Sequence, residues 1–271
     1  RDLHSFPTRR SSDLNAGLSG ERLAARCSMS QSKISRIESG KTLPTVVDVE
    51  RMLNALDVPA ARARELLSLA RVANVEYTSS RALARVGTWR RQLEFKSLIE
   101  SATVVRQFLP AIPTGLVQIP EYARFAMSPT VPSAHDRDVD RCVEARMEMR
   151  TVLDDESRRF VLLMTEQAVR WNRAGREVMA KQVAHMAEEA QRPNVEIAII
   201  PRSAEVHGSP LNIFFTFDER LVMVELFNGL VSFRDPRDVQ YYLELFEFFL
   251  GHALTGEEAI WFLRSVAREF M

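Results

Sequence analysis

Gln31, Ser32, Ser35 and Arg36 stand close together in the run SQSKISRIESGKTLP. Ile34 and Ile37 are the apolar positions of the same segment. On a helix they turn inward and push those four residues toward the opposite face. That face carries an amide, two hydroxyls and a guanidinium, where a surface helix ordinarily carries Glu–Lys pairs. Gln and Arg side chains can make paired hydrogen bonds to adenine and guanine edges. The chemistry on offer is hydrogen-bonded reading of a nucleic-acid groove, with no covalent bond made or broken.

Such a face needs elements to aim it, and these can be read on either side. Ser19 is an N-cap ahead of a helix whose apolar positions are Leu18, Leu23, Ala24 and Cys27. Ser28 and Met29 form a turn, and Ser30 caps the second helix. Gly40 sits where a left-handed C′ residue is wanted, with Lys41 after it. Leu43-Pro44-Thr45 breaks the chain. Thr45 caps a third helix to about Leu56, burying Val46, Val49, Met52 and Leu53, and a helix from Ala60 to about Arg71 closes the domain. Two short amphipathic helices about a tight turn suit a helix-turn-helix. A helical hairpin that binds nothing has the same spacing, and the polar face is what favours double-stranded DNA as the partner.

SQSKISRIESGKTLP resembles the recognition helix and following turn of the lambda-repressor-like, XRE-type helix-turn-helix regulators. The resemblance places Gln31, Ser32 and Arg36 at base-reading positions, and Ser35 shares their face. It places Ser30, Lys33, Ser39 and Lys41 opposite phosphates, and it gives Glu38 the role of supporting the helix end. The chain departs from this family in having Ser28 where glycine is frequent. If that residue needs positive φ, Ser costs roughly 1 kcal/mol relative to Gly.

Residues 1–14, RDLHSFPTRRSSDL, have no helical period, so the first helix expected of such a domain is missing. His4 to Leu14 resembles the conceptual translation of a sequencing-adapter oligonucleotide. A disordered basic arm reaching into a minor groove is the competing reading. The expected organisation is therefore 1–14 as artefact or disordered segment, 15–72 as DNA-binding domain, 73–80 as linker and 81–271 as a second domain.

The 271 residues, 46% of them hydrophobic, are enough for two cores. No apolar run approaches the roughly 20 residues that span a bilayer, so no membrane partner is expected. Cys27 and Cys142 lie far apart and read as small buried hydrophobes in a reducing compartment, which points to a cytoplasmic protein with neither a disulfide nor a metal. The formal net charge is zero, yet Asn15 to Thr45 holds five basic residues against two acidic ones. So modest a positive footprint binds phosphates weakly on its own. A homodimer doubles it and sets two recognition helices about 34 Å apart.

From about Arg81 the character changes. Ala82, Val86, Trp89, Leu93 and Leu98 suggest one or two helices, TVVRQFLP and FVLLMT read as strands, and EYARFAM as a helix. A long polar helix is expected over 135–153 and another from Arg176 to Ala190. VEIAIIP, LNIFFTF, LVMVELF and GLVSF are short β-rich runs that suggest an antiparallel sheet. Asp235-Pro236 opens a helix with Val239, Tyr242, Leu243, Phe246 and Leu250 inward, and its surplus aromatics could form a dimer face. Thr255 with Glu258 reads as a capping box. The fold class expected is α+β overall: an all-α helix-turn-helix domain, then an α+β domain with a mostly antiparallel sheet.

PNVEIAIIPRSAEVHGSPLNIFFTFD and DPRDVQYYLELFEFF, with GLVQIPEYARF and the helix bearing Gln182 and His185, resemble the antitoxin-like C-terminal domain, of unknown function, of many bacterial XRE-type regulators. The resemblance implies transcriptional control, often beside a small partner protein, and supplies neither ligand nor cofactor. The titratable candidates are His185, His207, His252, Glu166, Glu225 and Asp218. No nucleophile elbow, HExxH, Walker A or GxGxxG appears, so the chain reads as a non-enzyme without a cofactor. Glu166, Trp171 and His207 are the candidates for a ligand pocket, against ordinary capping, packing or surface roles. Two functions follow: a DNA-binding transcriptional regulator whose C-terminal domain senses a ligand or partner, or an antitoxin-like module that sequesters a small partner protein and binds DNA only to regulate itself.

Overall fold

The computed structural model describes residues 18–131 and 138–271. Residues 1–14, and 135–137 at the start of the expected polar helix, lie outside the described residues. The chain forms two compact units, one ending at Glu76 and the other beginning at Tyr77. That boundary falls inside the stretch 73–80 expected as a linker, which instead contains the end of a helix and a strand.

The N-terminal unit contains helices α1 (Gly20–Arg26), α2 (Gln31–Glu38), α3 (Val46–Ala55) and α4 (Ala60–Ala73). The first three begin at hydroxyl caps: Ser19 accepts from the Arg22 amide, Ser30 from Lys33 and Thr45 from Asp48. Asp48 returns a bond to the Thr45 amide at 3.0 Å, completing a capping box. All three also end alike. Ser28, Gly40 and Asp57 take positive φ just beyond α1, α2 and α3. The amides of Met29, Lys41 and Val58 reach back to the carbonyls of Ala24, Arg36 and Leu53. This is the Schellman arrangement, which satisfies carbonyls the helix leaves open. Ser28 stands at φ 53°, so the left-handed turn position is occupied by a residue with a Cβ. Leu23, Ala24, Cys27 and Ile34 form the buried centre, with Met29, Met52, Ala55 and Leu56 packed around it.

In the C-terminal unit a seven-stranded sheet runs in the order β1-β7-β6-β5-β2-β3-β4. Its strands are β1 (Val75–Ser79), β2 (Val104–Leu109), β3 (Arg159–Thr165), β4 (Val195–Ile200), β5 (Ile213–Phe217), β6 (Leu221–Leu226) and β7 (Gly229–Phe233). The helices are α5 (Ser80–Val86), α6 (Thr88–Glu100), α7 (Pro120–Met127), α8 (Val139–Arg150), α9 (Glu166–Arg170), α10 (Arg176–Glu189), α11 (Pro236–Leu250) and α12 (Gly256–Glu269). Together with the helical N-terminal unit, this gives the expected α+β class.

The sheet is mixed. β5, β6 and β7 pair antiparallel in turn, as their turn-separated runs suggest, and β5 also pairs antiparallel with β2. VEIAIIP departs from that expectation: β4 runs parallel to β3, which runs parallel to β2. Crossover helices join these strands, and Val161, Leu162, Leu163 and Met164 of β3 are all buried. Strands buried on both faces lose the alternation that would mark a half-solvated antiparallel strand.

Val105 and Leu109 face one hydrophobic cluster with Phe160, Leu162, Ile197, Phe215 and Leu263. Phe108, Val161 and Phe214 face a second, covered by Phe246 and Phe249 of α11. Asp235 caps α11 by accepting from the Arg237 amide at 3.0 Å, as expected. The capping box expected at Thr255 does not form, since its side chain accepts no cap bond. Gly256 follows it at φ 52°, which turns the first helical amides away from the hydroxyl.

Candidate nucleic-acid interface

The site begins with the cap. Ser30 accepts from the Lys33 amide at 3.2 Å, which fixes where α2 starts and so which residues share each face. Ile34 is sealed in the core and Ile37 is half-buried beside it. Gln31, Ser32 and Arg36 are exposed and Ser35 is half-buried. Among the described residues, Arg36 has no ion-pair partner and Gln31 no side-chain hydrogen bond. Their donors and acceptors are open to an outside ligand. Ser32 Oγ lies 3.2 Å from Ser30 Oγ, coupling its orientation to the cap.

The residues that the resemblance sets opposite phosphates are less uniform. Lys41 is exposed just past the end of α2. Ser39 turns its proton inward, donating to the Ser35 carbonyl at 2.7 Å. Lys33 is already engaged: its Nζ lies 2.7 Å from Oδ1 of the buried Asp48. This pair ties α2 to the capping box of α3. Burial, the strongest single influence on Asp48, works to raise its pKa. The hydrogen bonds from Lys33 and Thr45 outweigh it and hold the carboxyl below its ordinary range. Arg26 adds a second brace by donating to the Ala55 carbonyl at 3.2 Å. The sequence reading missed the role of Asp48, although its place three residues after Thr45 carries the capping-box signal.

In the C-terminal unit, none of the three residues expected at a pocket lines the cavity found there. Glu166 is buried at the start of α9, where it takes Arg170 at 2.6 Å, the Arg202 side chain at 3.0 Å and the Arg202 amide at 2.7 Å. Its acceptor capacity is spent inside the fold. Trp171 is 60% exposed and His207 is exposed on the loop after β4. His185 accepts from Arg150 Nη2 at 2.7 Å beside Glu189. Burial first and Arg150 second lower its pKa, which favours the neutral ring. Asp218 binds the amides of Thr103 and Val104 at 2.9 Å and so anchors the start of β2.

A cavity of about 220 Å³ does lie in this unit, on the face of the sheet covered by α6 and α8. Gln107, Gln118, Arg146 and Glu225 line its polar side, and Phe95 and Phe215 its apolar side. Gln182, fully buried on α10, holds the neighbouring loop by donating to the Val117 carbonyl at 2.8 Å and accepting from the Ile119 amide at 2.9 Å. Only one sequence signal pointed to the cavity. Gln107 interrupts the apolar run of VVRQFL with a residue that strands rarely bury. The other lining residues are brought in from distant parts of the chain.

The geometry is that of a helix-turn-helix unit followed by a sheet-based unit with its own cavity. Comparison with known families agrees with this division. A family model described as "Helix-turn-helix domain" matches residues 9–66. A second, "Domain of unknown function (DUF5753)", matches residues 92–265, and the chain belongs to that family. No curated protein matches the sequence. Among solved structures, NucT from Helicobacter pylori is similar with a TM-score of 0.39 and 8% identity, over 67% of this chain and 98% of that one. Nuc from Salmonella typhimurium, a phospholipase D family member, gives 0.36 and 12% over 67% and 97%. TrmBL2, an archaeal chromatin protein, gives 0.35 and 14% over 76% and 66%. At these TM-scores none of the three likenesses bears on function. Among the described residues, no helix is long and apolar enough to cross a membrane.

Proposed function

We propose that this chain is a sequence-specific, DNA-binding transcriptional regulator of the XRE type, acting in the cytoplasm as a dimer, with a C-terminal unit that senses an effector. The observation that carries the reading is the face of α2, where Gln31 and Arg36 are exposed, unengaged and held in register by the Ser30 cap. Those side chains suit paired contacts to base edges. Lys41 and the N-terminal amides of α2 supply phosphate contacts, with Lys33 adding its charge from its place on Asp48. Tyr241 and Phe248, exposed one heptad apart on α11, support a dimer face. No catalytic step is part of this reading.

Selection of bound sequences from a random DNA pool tests it. The 271-residue chain is used beside a chain whose residues 1–14 are replaced by the segment found on re-sequencing the locus. A recovered palindrome gives the site and the half-site spacing together. Arg36→Ala should then cost roughly 1–3 kcal/mol at one base position and leave random DNA unaffected. Equal loss on operator and random DNA removes Arg36 from base reading. Occupancy that changes only when a neighbouring small protein is added favours the antitoxin-like alternative.

A further inference from the structure

Among the described residues lining the cavity of the C-terminal unit, one hydrogen-bond donor is left without an acceptor and a second finds only a sulfur. Gln107 is 1% exposed, and its Oε1 accepts from the Thr114 hydroxyl while its Nε2 has no partner. A buried amide left unpaired is costly, so its persistence calls for an occupant. Arg146 is half-buried and lines the cavity. Its Nε donates to Gln92 and its Nη1 to Gln118, each at 2.8 Å. Its Nη2 reaches only the Met127 sulfur, at 3.9 Å.

The charges around it do not balance. Among the described residues, the other charged residues lining the cavity are Arg91 and Glu225, which lie 3.5 Å apart as a pair. Two guanidinium groups therefore face one carboxylate. Burial pulls the pKa of Arg146 down to about 10, with Glu225 partly opposing, so the group is still a cation at neutral pH. A half-buried cation without a hydrogen-bonded anion is costly, and an incoming anion would relieve the cost. The position is built and not accidental. A Cβ on Gly115 would meet Arg146 Cζ at 2.7 Å, so glycine there lets the guanidinium lie against the loop.

We propose that this cavity binds a small organic carboxylate. Its oxygens accept from Arg146 Nη2 and Gln107 Nε2, and its apolar body rests on Phe95 and Phe215. The volume of about 220 Å³ sets the size. At about 30 Å³ per water it amounts to some seven waters, and it falls below the roughly 300–1,000 Å³ of sites for drug-sized ligands. Leu226 and the fully exposed Phe227 also line it, giving an apolar approach from the β6–β7 turn. The inference rests on the reading of this unit as an effector sensor, and it names the effector's chemistry.

Calorimetric titration of the full chain with benzoate, hexanoate, benzamide, benzylamine and inorganic phosphate tests it. At least one of the two carboxylates should bind, with benzamide and benzylamine at least tenfold weaker than benzoate where benzoate is the binder. Arg146→Gln should reduce the carboxylate's affinity at least tenfold, and Gln107→Leu several-fold with every charge left in place. Circular dichroism melts report whether each variant folds, and Gln107→Leu carries the test if Arg146→Gln does not. Absence of binding by both carboxylates, unchanged affinity in the folded variants, or binding of phosphate alone overturns the proposal. A carboxylate that binds through Arg146 yet leaves operator affinity unchanged upholds the site and refutes the sensor reading instead.

Discussion

The two units spend their polar side chains in opposite ways. In the N-terminal unit a centre of four buried residues supports a face whose Gln31 and Arg36 point to solvent. In the C-terminal unit two hydrophobic clusters enclose a sheet, and the buried Gln107 and half-buried Arg146 line a cavity with one donor unpaired and another met only by a sulfur. The contrast teaches what kind of partner each can take. An exposed row of donors suits a long polyanion that brings its own hydration and counterions. A pair lining a cavity of limited volume suits a small molecule.

The comparison can be broken by experiment, starting where the effect is largest. Phe108 is buried in the sheet and stacked on Phe249 with ring centroids 4.7 Å apart. Phe108→Ala should destabilise the C-terminal unit by about 3–5 kcal/mol in urea denaturation. Hydrogen exchange should show the amides of α2 unchanged, and equal deprotection of both units would mean they do not fold separately.

A smaller effect is expected at Asp48, where Asp48→Asn should cost about 1–2 kcal/mol through the loss of the charged cap. Because the folded pKa of Asp48 is depressed, its contribution is complete above the pKa of the unfolded carboxyl. It is lost as pH falls through the lower, folded value. Melts between neutral and acid pH should therefore show the N-terminal unit losing this increment only in acid, and the variant should not show it. The smallest change expected is a gain. Ser28→Gly relieves a side chain at φ 53° and should stabilise the N-terminal unit by up to about 1 kcal/mol. A loss on thermal melting would show that Ser28 makes a compensating contact.

The same contrast explains how much could be read from the sequence. Caps and stops are decided within a few residues, so Ser19, Ser30, Gly40, Thr45 and Asp235 were legible as boundaries. The outward face of α2 followed from the single turn between Ile34 and Ile37. Thr255 shows the limit of that local logic, because one left-handed glycine undid its capping box. The parallel placement of β4 was not legible. It depends on a partner strand 35 residues earlier, Phe160 pairing with Val195. The cavity was hidden for the same reason, since Gln107, Arg146 and Glu225 meet only once the sheet and α8 are assembled. Glu166, Trp171 and His207 looked more like a site because they sit near turns, which is a local feature that a cavity does not need.

The Lys33–Asp48 pair has a consequence for how such a protein can change over generations. It sets the aim of α2 from behind, through a residue of α3 and a lysine off the outward face. Gln31 and Arg36 support none of this framework. Exchanging them alters what is recognised and leaves the framework's stability almost as it was. A duplicated copy of this chain could thus drift to a new operator through a few surface substitutions, without first passing through an unfolded intermediate.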